Sequence, residues 1–556
     1  MPLIPILAPF GALLTTIMNR RRYGRALREL QNSDAHGGAR FLTSEEIVDR
    51  GLTVTPTGQV GGIFIGGQGA PSEPEVVVCY PGDRHLITFA PTRSGKGACH
   101  VIPNLLLHEG AAFVIDVKGE NFLATQRQRR GYGSVHAFAP YDPRIQSAHI
   151  NPLDFVRVGT VNEADDVRTL AALLIEPSGS DKDKFWEEAA RSLLAAIMLY
   201  TLHEAPTNHR TLGAAVGLLL SPPDRLNAHI AAMAGHRVPA IAAAGATAMG
   251  MTEDMLRNIV ASASSQVGCW APGSALDALT DRSDIAFETL RDKPATFFFI
   301  IPPERIRENR SALRVLCGIA IRTLTRSWPR PSDKRILFVL DEFANLGRME
   351  DVEDGITYLA GNGIQLWLIV QDFSQLKNVY KEKAETIFAN CGARMVFNVQ
   401  DLETAKKVSE MIGNRTIVVE MPTQTSGPIF MPGSVGTGHS LTSRPLLTPD
   451  EVMRLARGQQ IVFLDEHRPI LGAKWFYFER PEFKGLFDDP RSLLGASSLP
   501  MLLAPQAVAA RTAPARAPRA PAPPAPRQRV GTAVPPEQPA PRSPAGRAPR
   551  RLPPSS

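Results

Sequence analysis

The stretch that decides the fold is residues 85–97, HLITFAPTRSGKG. Its apolar first half predicts a buried β-strand, and the Gly-Lys pair near its end precedes a segment of helical character. A strand that runs through such a loop into a helix is typical of a phosphate-binding loop, because backbone N–H groups and the helix N-terminus cradle anionic phosphates. The candidate nucleotide-binding residues are Pro91, Thr92, Arg93, Ser94, Gly95, Lys96 and Gly97.

The match to the phosphate-loop motif G-x-x-x-x-G-K-[ST] is incomplete. Ala90 stands at the first glycine, and Gly97 replaces the hydroxyl residue that normally contacts Mg²⁺. Lys96 is the candidate that reaches the β- and γ-phosphates. The loop alone therefore leaves an ordinary strand-to-helix turn as an equal alternative.

A second element, residues 336–342 with the sequence ILFVLDE, favours the nucleotide interpretation. Five apolar residues followed by two carboxylates indicate a buried parallel strand with acids at its carboxyl end, the edge at which doubly wound sheets bind ligands. Asp341 is the candidate ligand of Mg²⁺, directly or through water. Glu342 is the candidate that orients and deprotonates the attacking water. The alternative is a solvated acidic strand end.

Charge is distributed unevenly along the chain. The net charge of the 556 residues is +6, but residues 511–556 hold nine arginines and one acid, which leaves 52 basic and 54 acidic side chains in residues 1–510. The basic character therefore belongs to a tail, and the rest of the chain shows no compositional sign of nucleic-acid binding. The five cysteines are scattered without metal-ligand spacing, which indicates reduced thiols in a cytosolic body.

An apolar segment opens the chain. Residues 2–18 are uncharged and are followed by an Asn-Arg-Arg-Arg cluster at 19–22. The segment is at the short limit for a membrane span, and its three prolines weaken a helix. The basic cluster would keep the following chain on the cytoplasmic side. We expect a membrane segment with a basic flank over residues 1–22, with a buried or interfacial segment as the alternative.

The remaining chain divides by its secondary-structure signals. Strand and helix patterns alternate over 23–160, disappear in favour of helices over 161–287, and resume over 288–490, which predicts a parallel α/β domain interrupted by an all-α domain. A Gly/Pro/Ser/Thr-rich stretch at 421–443 predicts a loop. Residues 491–556 form an Ala/Pro/Arg-rich tail that we expect to be disordered.

Individual elements follow from the same patterns. A helix is predicted over Lys96–His108, bent near Pro103, and another over Glu120–Arg130. The predicted strands are Val76–Tyr80, His85–Ala90, Ala111–Ile115, Thr296–Ile301, Ile336–Leu340, Gln365–Val370, Arg394–Asn398, Thr416–Val419, Gln459–Leu464 and Gly472–Phe478.

Eight segments spread over nearly the whole body carry a family resemblance. They are HGGAR at 36–40, APTRSGKG at 90–97, IDVKGE at 115–120, NPL at 151–153, FWEEAARSLL at 185–194, VLDEF at 339–343, QDFSQL at 371–376 and RPLLTPDE at 444–451. Together they resemble the TraG/VirD-type coupling proteins of type IV secretion systems. The set is more specific than the phosphate loop and acidic strand, which a generic P-loop protein would share.

This resemblance implies a RecA-like P-loop domain that binds ATP and Mg²⁺ and assembles as a hexameric ring. It implies that Lys96 contacts the phosphates, that Asp341 and Glu342 serve Mg²⁺ and water, and that Gln371 senses the γ-phosphate. Gln371 follows the apolar strand Ile364–Val370, so its amide can lie at the same sheet edge, with a solvated strand terminus as the alternative. Residues 116–120 follow a predicted strand that ends at the same edge. We interpret them as a loop that contacts the phosphates or a neighbouring subunit, with a structural turn as an equal alternative.

The implied function is ATP hydrolysis coupled to delivery of DNA–relaxase or protein substrates to a conjugation-type channel. The expected partners are further copies of the chain, a relaxase or secreted effector, single-stranded DNA, channel components and the bacterial inner membrane, with most of the chain cytoplasmic. A recruiting receptor with little motor activity and a soluble DNA translocase remain alternatives.

Two features depart from the family pattern. Relatives usually show two membrane helices, whereas this sequence shows at most one. Residues 359–363 also lack an arginine that would reach a neighbouring subunit's phosphate, and Arg348 and Arg394 are possible substitutes.

Overall fold

The computed structural model describes residues 33–54, 62–69, 75–176, 183–425 and 434–490. These residues fall in one compact unit within residues 1–500. The expected membrane segment at 1–22 and the expected tail at 491–556 lie outside the described residues. Within the described part, no helix combines the length and the apolar character that a membrane crossing requires.

Strands and helices alternate along most of the described chain. The strands are β1 (Ile63–Gln68), β2 (Val76–Tyr80), β3 (His85–Phe89), β4 (Ala112–Ile115), β5 (Ser134–Phe138), β6 (Ala295–Phe299), β7 (Ile336–Leu340), β8 (Ile364–Val370), β9 (Cys391–Val396), β10 (Asn414–Thr425), β11 (Ser434–Pro445), β12 (Gln459–Leu464) and β13 (Ile470–Ala473). The α-helices are α1 (Ser44–Asp49), α2 (Ile102–Leu107), α3 (Glu120–Arg130), α4 (Glu163–Leu174), α5 (Lys184–Glu204), α6 (Leu212–Leu219), α7 (Pro223–Ala234), α8 (Pro239–Met249), α9 (Glu253–Val267), α10 (Arg310–Thr325), α11 (Glu350–Gly355), α12 (Phe373–Tyr380), α13 (Lys383–Asn390), α14 (Leu402–Ile412) and α15 (Pro449–Met453).

An 11-stranded sheet in the order β2-β1-β13-β12-β9-β3-β8-β7-β4-β6-β5 forms the centre of the unit. The strands from β9 to β5 all run parallel, and β12, β13, β1 and β2 add an antiparallel extension. Because parallel strands end at a common edge, the carboxyl ends of β3, β8, β7 and β4 lie side by side. The expected α/β sheet is confirmed. The antiparallel orientation of the strands at one side of it was not predicted.

Continuous apolar runs make the central strands buried on both faces. Every residue of β7 and β8 is buried. Aromatic rings link neighbouring strands on one face, where Phe113 stacks on Phe338 with ring centroids 5.1 Å apart and the planes at 15°. On β8, the Trp367 indole N–H donates to Thr88 Oγ1 at 2.9 Å, which satisfies both polar groups inside the core. The strands that position the site are therefore held rigidly.

The helices α4 to α9 lie between β5 and β6 in the chain. Helix α4 packs against α10, which follows β6. The buried Arg314 of α10 donates to the carbonyl oxygens of Leu173 and Leu174 at 3.2 Å each, and its Nη1 lies 2.5 Å from Glu176 Oε2. These contacts attach the helical segment to the sheet through α4.

Four predicted elements are confirmed residue for residue, namely the strands Val76–Tyr80, Ile336–Leu340 and Gln459–Leu464 and the helix Glu120–Arg130. The predicted loop at 421–443 is wrong, because β10 and β11 pair there as a separate two-stranded antiparallel ribbon. None of the ribbon residues with a described exposure is buried. The sequence predicted only Thr416–Val419 of this ribbon as a strand, because strands without buried residues show little alternation of apolar and polar residues.

Two further predictions are corrected at the strand and helix ends. The helix predicted from Lys96 begins as a π turn over Gly97–Val101 and continues as α2, which has Pro103 in its first turn. The strand predicted over Gly472–Phe478 ends at Ala473, and residues 474–478 leave the sheet. Strand β1 was not predicted because its sequence, IFIGGQ, contains two glycines.

We expect Arg129→Ala to lower the free energy of unfolding by about 3 kcal/mol or more, because each buried polar group left unpaired costs about 1–3 kcal/mol. Arg129 is 1% exposed, and its guanidinium donates to the carbonyl oxygens of Leu105, His108 and Gly110 and to Thr296 Oγ1. Denaturant titration measures the change. The neighbouring Arg130 is exposed and bonds only to Gln126 among the described contacts, so Arg130→Ala serves as the control. Equal effects of the two substitutions would contradict the expectation.

Candidate functional site

The loop that follows β3 is compact and leads directly into the π turn. The Ser94 N–H donates to the Pro91 carbonyl at 3.1 Å, and the Cys99 N–H donates to the Gly95 carbonyl at 3.0 Å. Gly95 has φ 91° and packs so closely that a Cβ there would lie 2.6 Å from Phe476 Cε1, so only glycine fits. Ser94 Oγ is buried without a hydrogen-bond partner. An unpaired hydroxyl inside such a loop is a donor available to a ligand.

Lys96 joins the loop to the acidic end of β7. Its Nζ lies 2.7 Å from Asp341 Oδ1 and 2.5 Å from Glu342 Oε1, and the three side chains are only 16–17% exposed. Burial acts to lower the pKa of Lys96, but the two carboxylates outweigh it and raise that pKa. Burial acts to raise the pKa of Glu342, and the Lys96 ammonium reverses this and lowers it. Lys96 and Glu342 are therefore both charged in a confined, poorly solvated space.

Glu342 occupies a strained turn that aims its carboxylate. Its φ of 52° places a non-glycine residue in the left-handed region, and its backbone N–H donates to Asp341 Oδ1 at 2.9 Å. Two amides hold Glu342 Oε2, since Gln371 Nε2 donates to it at 3.1 Å and Asn345 Nδ2 donates at 3.0 Å. The carboxylate thus receives Lys96 on one oxygen and two neutral donors on the other.

Gln371 follows β8 at the same edge of the sheet, and its role as a sensor of the γ-phosphate stays a prediction. The backbone N–H of Gln371 donates to Gln375 Oε1 at 3.1 Å, and Gln375 Nε2 donates to Asn345 Oδ1 at 3.3 Å. Asn345 and Gln375 were not predicted as site residues. Gln375 lies in the QDFSQL segment and in the first turn of α12, so that segment was the available signal, whereas nothing in the sequence distinguished Asn345.

Asp116, at the end of β4, is buried next to the same edge. Its carboxylate accepts from the Phe122 N–H at 2.8 Å and from Asn121 Nδ2 at 3.3 Å, which fixes the start of α3. Burial raises the pKa of Asp116 to about 7. The hydrogen bond from Phe122 acts to lower this pKa, and the charges of Glu120 and Asp341 act to raise it further. These contacts support the structural-turn interpretation of residues 116–120.

The segment 474–478 crosses the outside of the phosphate loop. Lys474 is 5% exposed, its Nζ donates to the Ser94 carbonyl at 3.2 Å, and it lies 4.3 Å from the centroid of the Phe397 ring. The Tyr477 N–H donates to the Ala98 carbonyl at 3.1 Å. Burial lowers the pKa of Lys474. A single lysine within an apolar stretch belongs to no motif, which is why the sequence did not reveal this contact.

Both arginines named as substitutes for a trans-acting arginine are engaged within the chain. The guanidinium of Arg348 bonds both carboxylate oxygens of Glu353, at 2.8 Å and 3.0 Å. Arg394 Nε donates to the Phe388 carbonyl at 3.1 Å, and its guanidinium lies over the Phe388 ring. The assignment of either as a trans-acting arginine stays a prediction. Among the described residues, no cluster of three or more His, Cys, Asp or Glu side chains is suited to a metal ion.

The family of the chain follows from comparison with known proteins. The family model described as "Type IV secretory system Conjugative DNA transfer" matches residues 32–497. This chain belongs to that family, as the sequence segments indicated.

Named relatives agree with this membership, and a solved structure shares the fold. "Conjugal transfer protein TraG" of Escherichia coli is 29% identical over 501 residues, which cover 82% of this chain and 78% of that protein. "Protein VirD4" of Agrobacterium fabrum (strain C58 / ATCC 33970) is 29% identical over 422 residues, which cover 73% of this chain and 60% of that protein. The unbound coupling protein TrwBdeltaN70 superposes with a TM-score of 0.58 at 14% identity, over 80% of this chain and 96% of that chain. At this identity the superposition shows a shared fold.

We expect the stability of the nucleotide-free protein to depend on Asp116 between about pH 4 and pH 7. Because its folded pKa of about 7 exceeds the ordinary value, the folded state holds a proton that the unfolded state has lost in this window, and stability falls as pH rises through it. Asp116→Asn cannot ionise and should not show this loss. Urea titrations of both proteins at several pH values measure it, and parallel pH profiles would contradict the expectation.

Proposed function

We propose that this chain is a coupling ATPase of a type IV secretion system, which recruits DNA–relaxase or protein substrates and drives or gates their delivery to a conjugation-type channel. Membership of the conjugative DNA transfer family supports the cellular role. One observation supports the chemistry above all others. At the carboxyl edge of the sheet, the loop lysine Lys96 lies within 2.7 Å of both Asp341 and Glu342, with Gln371 on the same glutamate.

ATP and Mg²⁺ are the proposed ligands. The related protein TrwB is described in complex with ADP and Mg²⁺ and in complex with an ATP analogue. In this chain, the residues proposed to hold the phosphates are Pro91, Thr92, Arg93, Ser94, Gly95, Lys96 and Gly97. Bound Mg²⁺ neutralises phosphate charge, and Asp341 is its proposed ligand, with water in place of the hydroxyl that Gly97 lacks. The unpaired Ser94 Oγ fits this use of the loop.

Phosphate binding would rearrange the charges of the cluster. In the structure Lys96 is neutralised by two carboxylates, so an incoming phosphate competes with them for the ammonium. Transfer of Lys96 to the phosphates leaves Asp341 free for a cation and Glu342 free to accept a proton from water. Gln371 and Asn345 keep the Glu342 carboxylate in place during this exchange. Glu342 acts in this scheme as the general base, because the departure of Lys96 removes the charge that lowers its pKa.

We expect Lys96→Ala and Asp341→Ala each to reduce ATP turnover by about 10²–10³-fold. The first substitution removes the cation proposed to contact the phosphates, and the second removes the proposed ligand of the Mg²⁺ that neutralises them. Glu342→Gln should also lose turnover yet retain ATP binding. The substitution removes the general base, and the new side chain can still accept hydrogen bonds from Gln371 and Asn345. Steady-state hydrolysis and calorimetric titration with ATP measure the two effects.

Lys334→Ala is the matched control for the lysine substitution. Lys334 is exposed, pairs with Glu109 and precedes the opposite end of β7. It should hydrolyse ATP at the rate of the unsubstituted protein. Normal turnover by Lys96→Ala would contradict the phosphate-loop assignment.

The domain division proposed for this function places residues 23–160 and 288–490 in the ATPase domain and 161–287 in a substrate-receiving domain. One feature supports recruitment through the helices. An open groove of about 610 Å³ lies between α4, α5 and α8, with six alanines and also Arg168, Glu188 and Arg191 among its lining residues. The small side chains leave room for a segment of a protein partner, and the arginines offer it charged hydrogen-bond donors.

The motor and receptor alternatives make different predictions. For a motor, single-stranded DNA raises the ATPase rate, and Ala243→Trp, which fills the groove, reduces substrate transfer while leaving ATP binding unchanged. For a receptor with little motor activity, the same substitution abolishes binding of the relaxase or effector, and DNA leaves the ATPase rate unchanged. Ala246→Trp on the same helix is the control, because Ala246 is exposed and does not line the groove. Full transfer by Ala243→Trp would exclude the groove from recruitment.

Assembly and location remain proposals that rest on sequence and family. We propose a homohexamer at the bacterial inner membrane, with residues 1–22 as the membrane segment and most of the chain cytoplasmic. The apolar run at 2–18 and the basic cluster behind it support this location. The nine arginines of the tail at 511–556 fit contacts with phosphate groups of single-stranded DNA or lipid. Channel components of the secretion system complete the proposed partners.

A further inference from the structure

A pair of aromatic rings lies beside the phosphate loop, and no step of the proposed hydrolysis uses it. Phe476 and Phe478 stack with ring centroids 5.7 Å apart and the planes at 27°. Both belong to the segment 474–478, which leaves the sheet after β13. Phe476 touches the loop at Gly95, where a Cβ would lie 2.6 Å from the ring.

The outer ring of this pair is fixed but open to solvent. Phe478 is 36% exposed. Its inner face stacks on Phe476, and the Tyr477 ring packs edge-on against it at 5.2 Å. The turn itself is closed by the Glu479 N–H, which donates to the Phe476 carbonyl at 3.0 Å. A large apolar ring that is held in one orientation, yet left partly in water, is an available stacking surface.

The position of the pair matches the direction in which a bound nucleotide would extend. Phosphates bound by residues 91–97 would lie at the start of the π turn, and the sugar and base would extend from there. The segment 474–478 runs beside the loop and the π turn, since Lys474 contacts the Ser94 carbonyl and Tyr477 contacts the Ala98 carbonyl. These contacts to backbone carbonyls fix the position of Phe476 and Phe478 relative to the phosphate loop.

We propose that Phe478, backed by Phe476, is the platform on which the purine base of the nucleotide stacks. This inference rests on the proposed function, because it needs a nucleotide on the phosphate loop. The recognition is of the flat π-face of the base, which favours purines over smaller rings and makes no demand on their hydrogen-bonding edges.

The test compares two ligands that share phosphates and differ in the base. ATP and inorganic tripolyphosphate are titrated calorimetrically, both with Mg²⁺, into the full chain and into Phe478→Ala and Phe478→Trp. Loss of one stacked base by truncation to alanine weakens ATP binding about 10-fold or more. Phe478→Ala should show that loss for ATP and unchanged affinity for tripolyphosphate, while Phe478→Trp should keep ATP affinity.

Other outcomes separate this inference from the proposed function. If Phe478→Ala weakens the binding of both ligands equally, the ring acts through the loop. If ATP binding is unchanged, the ring is not a platform for the base. Either result overturns this inference and leaves the proposed function standing. Failure of the unsubstituted chain to bind either ligand would overturn the proposed function itself. Trp328→Ala is the control, because Trp328 is 81% exposed and precedes the opposite end of β7. It should leave both affinities unchanged.

Discussion

The site depends on one ammonium group shared by two carboxylates. Lys96 leaves the phosphate loop and reaches the end of β7, two strands away across β8, where Asp341 and Glu342 bind it. A lone charge in a poorly solvated space is costly, and the ammonium of Lys96 and the carboxylate of Glu342 offset this cost for each other. The parallel sheet makes the pairing possible by ending β3, β8 and β7 at one edge, and the rigid strands keep the distances short.

This pairing also explains why several uncharged side chains collect at the same place. Glu342 has a positive φ, and its side chain is held by further contacts. Gln371 and Asn345 bind its second oxygen, and Gln375 ties both of them to α12. The amides therefore preserve the orientation of the carboxylate whether or not Lys96 remains beside it. A site organised in this way can exchange its cation without losing its shape.

The central sheet and the charged residues at its edge could be predicted from the sequence, because both produce local sequence patterns. Continuous apolar runs mark β7 and β8, and the acids and amide directly follow them. Three features were hidden for physical reasons. Most of the β10–β11 ribbon was not predicted, since none of its residues with a described exposure is buried. Strand β1 carries two glycines, and Lys474 reaches Ser94 across 380 residues of chain. Contacts of that kind are set by tertiary packing and leave no periodic signal.

The contact between Lys474 and the Ser94 carbonyl has a mechanical consequence. Segment 474–478 continues β13, which is hydrogen-bonded to β1 and β12, so the phosphate loop is tethered to the antiparallel flank of the sheet. A displacement of the loop must therefore either stretch this tether or carry the flank with it. Conversely, a pull on the flank reaches the loop without passing through the parallel strands. The phosphate loop is therefore connected both to the parallel strands, through β3, and to the antiparallel strands, through segment 474–478. A movement of either part of the sheet can displace the loop.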